Sequence, residues 1–189
     1  VAEDECLTFS FGFRMPNVPD MMDRICDKFS ENQALKNPLL DIIREQVARA
    51  GEVTENELIY LKAKILDQLQ NSMLLDDAIM SLVSESKYPE NIPEAEEIST
   101  TDLEEALEHG YLIQLEPASR LLYSDQEGEI LFWANGEGLC ISEAFTPFLQ
   151  CVADGQALEL NADLANEDIL DDLVMLLNES ILMLVPTEE

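Results

Sequence analysis

A chain of 189 residues that is 47% hydrophobic and 26% charged has the apolar material for a sizeable core, which excludes simple disorder. Forty Asp and Glu face ten Lys and Arg, a formal net charge of −30 with a pI near 4.1, and that balance argues against a nucleic-acid surface and against docking on an anionic membrane. The charge is lopsided: residues 1–87 carry nine basic and sixteen acidic side chains, whereas 88–189 carry Arg120 alone against twenty-four acids. Such a surface keeps a protein soluble and also attracts basic partners.

The first predicted element is a strand. From Cys6 to Arg14 the residues alternate, with Leu7, Phe9, Phe11 and Phe13 on one face and Cys6, Thr8, Ser10 and Gly12 on the other. One strand cannot fold alone, and the next strand signal lies about ninety residues on. With the start at Val1 rather than Met, this leads us to expect the tail of a larger protein. Met15-Pro16-Asn17-Val18-Pro19 ends the strand.

Four amphipathic helices are expected next. The first spans about 20–32, with Met21, Met22, Ile25, Cys26 and Phe29 as its stripe. Asn37-Pro38 opens a second, carrying Leu39, Leu40, Ile42, Ile43 and Val47 to Gly51. The capping box Thr54-Glu55-Asn56-Glu57 opens a third, reaching about Asn71 with Leu58, Leu61, Ile65, Leu66 and Leu69. The fourth spans about 75–86. Two separate apolar faces, Leu58/Leu61/Ile65/Leu69 and Leu39/Ile42/Ile43, exceed what one small bundle buries, which predicts a symmetric homodimer through residues 17–88.

Residues 87–98, with two prolines and an acidic run, read as a linker in which nothing packs. Beyond it the element types alternate. A capped helix over 101–108 is closed by Gly110, and Tyr111–Leu115 is a strand. Residues 120–123 and 129–134 form a strand pair, and Asn135-Gly136 is a tight turn into 139–141. A helix ends near Asp154, Leu158–Leu160 is a short strand, Asn166 caps a helix to Leu177, and 180–185 is the last strand. Helices with a small β-wing describe a winged-helix-like module without the basic recognition helix that DNA binding needs, so a structural or protein-binding derivative is expected, not a DNA binder.

The residues carry no complete active site. The single histidine, His109, sits at a helix C-terminus, where it complements the dipole, and no partners for acid–base work flank it. No nucleophile elbow, phosphate loop or dinucleotide fingerprint occurs, and 161–172 lacks the central glycine and ligand spacing of a calcium loop. The cysteines Cys6, Cys26, Cys140 and Cys151 have no zinc spacing; Cys26 and Cys151 fall in apolar helical patterns and are expected to be buried thiols in a reducing cytoplasm. Met21, Met22, Met73, Met80, Met175 and Met183 are read as packing residues. No run of eighteen apolar residues suggests a membrane span.

The segment Leu7-Thr8-Phe9-Ser10-Phe11-Gly12-Phe13-Arg14-Met15-Pro16 resembles the NYSVGFRAP stretch of bacterial ribosomal oxygenases, JmjC-type cupins that use Fe(II) and 2-oxoglutarate to hydroxylate an arginine of a large-subunit ribosomal protein. The likeness continues through a helical dimerisation region into an acidic winged-helix-like domain, whose wing resembles Arg120-Leu121-Leu122-Tyr123 through Phe132-Trp133-Ala134-Asn135-Gly136-Glu137. It implies an α+β, mainly α chain in three parts. Residues 1–16 would be the last cupin strand, 17–88 the dimerisation domain and 89–189 the acidic winged-helix-like domain. The iron-binding His-x-Asp and later His of the family are absent from this chain, so the resemblance implies a C-terminal half with no hydroxylase activity of its own and no bound Fe(II) or 2-oxoglutarate. Thr8 and Ser10 match positions lining the cosubstrate and substrate pocket, with Thr8 standing where the family has Asn. Their small-residue face is also the one a barrel turns inward. The implied substrate is a basic ribosomal protein. The alternative is a free-standing acidic interaction module without catalysis, which would leave the Phe-rich strand edge uncovered.

Overall fold

The computed structural model describes residues 16–31, 53–70, 73–95, 97–107, 110–126, 128–161 and 164–186. The predicted strand with Thr8 and Ser10, the helix of 38–51, Cys6 and His109 lie outside these residues.

Helix α1 spans Val18–Glu31 and starts where Asn17 accepts the Asp20 N–H on its side-chain oxygen at 2.9 Å. Helix α2, Glu55–Gln70, opens with the expected box: Thr54 Oγ1 accepts from the Glu57 N–H at 3.3 Å, and Glu57 Oε2 accepts from the Thr54 N–H at 2.7 Å. Helix α3 spans Met73–Ser84 and buries only small side chains, Ala78, Ser81 and Ser84, at i, i+3 and i+6. That flat face lets it lie close against a sheet and against α1.

The remaining chain builds two three-stranded antiparallel sheets among helices. Helix α4, Thr100–Ala106, carries a Ser99/Asp102 capping box. Strand β1, Tyr111–Leu115, is the centre of the first sheet, flanked by β5, Leu158–Glu159, and β6, Leu182–Pro186. Its register runs from Tyr111 opposite Pro186 to Leu115 opposite Leu182. The second sheet is a meander of β2, Leu121–Gln126, β3, Glu129–Ala134, and β4, Glu137–Leu139. Its β3–β4 turn is Asn135-Gly136 with φ of 50° and 95°, the doubly positive pair that matches hairpin twist and that Asn-Gly tolerates best. Helices α5, Thr146–Ala153, and α6, Glu167–Asn178, complete the fold.

The core is one cluster to which α6, both sheets and α5 contribute. Five α6 side chains, Ile169, Leu170, Leu173, Leu176 and Leu177, are buried with Ile113 and Leu182 of the first sheet, Phe132 and Ala134 of the second, and Phe145 and Leu149 at α5. Each large apolar side chain taken from water there contributes on the order of 1.5–3 kcal/mol. Asn166 caps α6 as expected, accepting from the Asp168 N–H at 2.9 Å.

Three expectations change. Residues 87–98 are not a loose linker: Ser180 Oγ donates to the Pro93 carbonyl at 2.7 Å, the Asn178 amide brackets both backbone groups of Ile98, and Ile98 packs on the core. Cys26 is exposed and Cys151 half-buried, rather than both being buried thiols. Met22 and Met73 are exposed, not packed. The inner stripe of α1 is Met21, Ile25, Lys28 and Phe29, and Met22 and Cys26 lie about 100° round the helix from Met21 and Ile25.

Candidate functional site

Three features stand out as functional surfaces. The first is the acidic field of the second half. The two ion pairs found among the described residues, Arg24 with Glu85 and Lys28 with Asp77, both lie at the α1–α3 contact. Described carboxylates beyond residue 88 face no Lys or Arg at ion-pair distance, and those with partners use neutral donors instead. Asp172 Oδ2 accepts the Ser142 N–H, and Asp125 Oδ1 accepts the Gly128 N–H, both at 2.9 Å. Asp102 accepts from the Ser99 hydroxyl and N–H, and these bonds hold its carboxyl below the ordinary value. Tyr123 donates to Asp154 at 3.2 Å; that bond, and then the carboxylate's charge, push the phenol upward. A surface with so little internal neutralisation projects a negative potential onto any basic partner.

The second feature is α2. None of its side chains is buried, and Leu58, Ile59, Tyr60, Leu61, Ile65 and Leu66 are all exposed. So many exposed large apolar side chains on one helix are characteristic of a protein-binding surface.

The third is the seat of the wing on the helices. Trp133 Nε1 donates to Asp77 Oδ1 at 2.9 Å, and Lys28 Nζ donates to Asp77 Oδ2 at 3.0 Å. One carboxylate thus joins α1, α3 and β3, using both oxygens in charge-assisted contacts. Beside it lies an open polar cleft of about 380 Å³ lined by Arg24, Asp27, Lys28, Ser30, Glu31 and Glu137, in which both cations are already paired. The tryptophan and the Asn-Gly turn were legible as wing residues. Their engagement with Asp77 was not, because Asp77 reads in sequence as one more solvated acid on a helix.

Among the described residues no group of three or more His, Cys, Asp or Glu side chains is arranged to hold a metal ion, so they do not fit an iron site and no step through a metal is assigned to them. No helix among them is long and apolar enough to cross a membrane. Thr8 and Ser10 lie outside the described residues.

Comparison with known proteins agrees with this architecture. The family model for the ROXA-like winged helix matches residues 67–183. A probable ribosomal oxygenase of Haemophilus influenzae is 30% identical over 179 residues, which is 88% of this chain and 44% of that protein. The structure of YcfD, a ribosomal oxygenase from Escherichia coli, in complex with cobalt and 2-oxoglutarate superposes with a TM-score of 0.77 at 20% identity, covering 90% of this chain and 47% of that one. An X-ray structure of the same Escherichia coli protein gives a TM-score of 0.78 at 19% identity, over 91% of this chain and 46% of that one. The chain therefore spans less than half the length of the relatives it matches. At this level of identity the solved structures establish the fold.

Proposed function

The chain belongs to the ROXA-like winged-helix family, and from that premise we propose that it is the C-terminal part of an Fe(II)- and 2-oxoglutarate-dependent hydroxylase acting on an arginine of a ribosomal protein. The observation that carries this reading is the match over 88% of the chain to a probable ribosomal oxygenase. Cobalt and 2-oxoglutarate in a related structure support the cosubstrate assignment. In this reading residues 1–16 supply the last cupin strand, with Thr8 and Ser10 lining the pocket, 17–88 form a homodimer, and 89–189 position the substrate. Iron and 2-oxoglutarate, held elsewhere in the intact enzyme, supply the oxidising chemistry.

What this chain contributes is attraction and geometry. Its exposed α2 face supports pairing of two copies, because a twofold interface covers the same apolar patch on both. Its unneutralised carboxylates support capture of a basic ribosomal protein in a reducing cytoplasm, where free Cys26, Cys140 and Cys151 are at home.

The test is turnover of the intact protein with Fe(II), 2-oxoglutarate and ribosomal proteins, read by mass spectrometry at several salt concentrations. We expect one added oxygen on an arginine of a basic ribosomal protein. We also expect KM to rise severalfold between roughly 0.05 and 0.3 M salt as screening shortens the reach of the acidic field. No oxygen incorporation into any ribosomal protein would reject the enzymatic reading in favour of an acidic interaction module. A salt-independent KM would reject the role given to the acidic surface.

A further inference from the structure

The two turns of the wing have opposite fates. In the one between β2 and β3 the described residues Asp125, Gly128 and Glu129 are exposed, and nothing approaches within 4 Å of where a Gly128 Cβ would be. The Asn135-Gly136 turn between β3 and β4 is enclosed from both sides. Toward the winged-helix body, Asn135 Oδ1 accepts the Arg120 N–H at 2.9 Å and its Nδ2 donates to Ser119 Oγ at 3.0 Å. Ser119 Oγ donates onward to the Ser180 carbonyl at 2.7 Å, and Ser180 Oγ donates to the Pro93 carbonyl. Toward the helices, the Gly136 N–H donates to Ser84 Oγ at 3.3 Å, and Ser84 Oγ donates to the Ser81 carbonyl at 3.2 Å. Gly136 is buried at φ 95°, which favours glycine, and a Cβ there would sit 3.2 Å from Glu85 Cγ, so the Glu85 side chain would have to give way. The Trp133–Asp77–Lys28 contact closes the same seam at the second residue pair from the turn.

We propose that this turn is a latch that locks α1 and α3 to the two sheets and their helices α4–α6 as one rigid unit. A hydrogen-bonded path then runs from Pro93 through Ser180, Ser119 and Asn135 to the turn, and on from Gly136 through Ser84 into α3. Two consequences follow. The orientation of the helices fixes the orientation of the acidic body, without a hinge at the seam. The β3–β4 end of the wing is withdrawn from partners, which leaves the 125–129 end as the part of the wing that a partner meets. Buried polar links of this kind are satisfied only in one arrangement, so they specify that arrangement rather than merely adding stability.

The inference holds or fails independently of the oxygenase reading, because no substrate enters its test. Hydrogen exchange of the intact protein is compared with that of Asp77→Ala, which removes the acceptor of Trp133 and the partner of Lys28 together. Residues 78–84 and 129–139 are expected to lose protection together, by about tenfold or more, while 169–177 in the core keep theirs. The chain's single tryptophan supplies a second readout: acrylamide quenching of Trp133 rises at least about twofold when the seam opens. Should Asp77→Ala fail to fold, Asp77→Asn keeps an oxygen facing Trp133 and drops the charge facing Lys28, and it is expected to move the same two segments by a smaller factor. Loss confined to one side of the seam, equal loss in 169–177, or no change in a folded variant would each overturn the proposal.

Discussion

Helices α2 and α6 are built from the same materials and end in opposite environments. Both are leucine-rich, both start at a capping residue, and both carry acids in the first turn, where they complement the helix dipole. Yet α6 buries five side chains and α2 buries none. The difference is tertiary. Helix α6 packs on α4 and β6 and its side chains join a core cluster that draws on both sheets, whereas α2 has most of its leucines exposed. Amphipathicity thus states that a face needs a partner, but not whether the partner lies within the same chain.

That contrast can be broken by mutation, and the largest effect belongs to α6. Leu173→Ala empties a fully buried site and should cost about 2–5 kcal/mol in urea denaturation, the range of buried leucine truncations. Ile65→Glu in α2, where the side chain is 60% exposed, should leave the monomer's stability within about 0.5 kcal/mol. In light scattering the same change should convert the proposed homodimer to monomer. If Ile65→Glu destabilised the monomer as much as Leu173→Ala, the two helices would not differ as described.

The caps sharpen the comparison at smaller scale. Asn166→Ala should lower global stability by about 1 kcal/mol, because α6 unfolds with the core. Thr54→Ala should reduce local protection in α2 and leave the denaturation midpoint nearly unmoved, since no side chain of α2 is buried.

The smallest effect concerns Asp102, the capping carboxylate of α4. Its folded pKa is depressed by the bonds from Ser99, so the ionised cap stabilises above the ordinary carboxylate range. That contribution fades as pH falls through the lowered value. The urea midpoint of Asp102→Asn should therefore sit slightly below wild type at neutral pH and converge on it in acid. A gap that widened on acidification would contradict the sign.

Much of the winged-helix part could be read from local patterns. Asn135-Gly136 announced its hairpin, Asn166 its helix start, and the turn at 125–128 the strand pair that flanks it. The reading of 87–98 as a loose linker failed because its anchors, Ser180 and Asn178, lie about eighty residues or more downstream and carry no local mark. The burial expected for Cys26 and Met22 failed for a related reason. An apolar stripe two residues wide has no preferred edge until a neighbour is present, and α3 chose the Met21–Ile25 side while adding Arg24 and Lys28 to the contact through Glu85 and Asp77.

By itself the sequence determined, among the described residues, the element types with their caps and turns, and over the whole chain the acidity of the second half and the family resemblance, because each rests on residues within a few positions of one another or on composition. The tertiary structure alone decided that β1 lies between β5 and β6, that α6 and not α2 enters the core, and that Asp77 meets Trp133 fifty-six residues away. Those outcomes depend on which distant surfaces cover one another, and no local pattern encodes the partner of a surface.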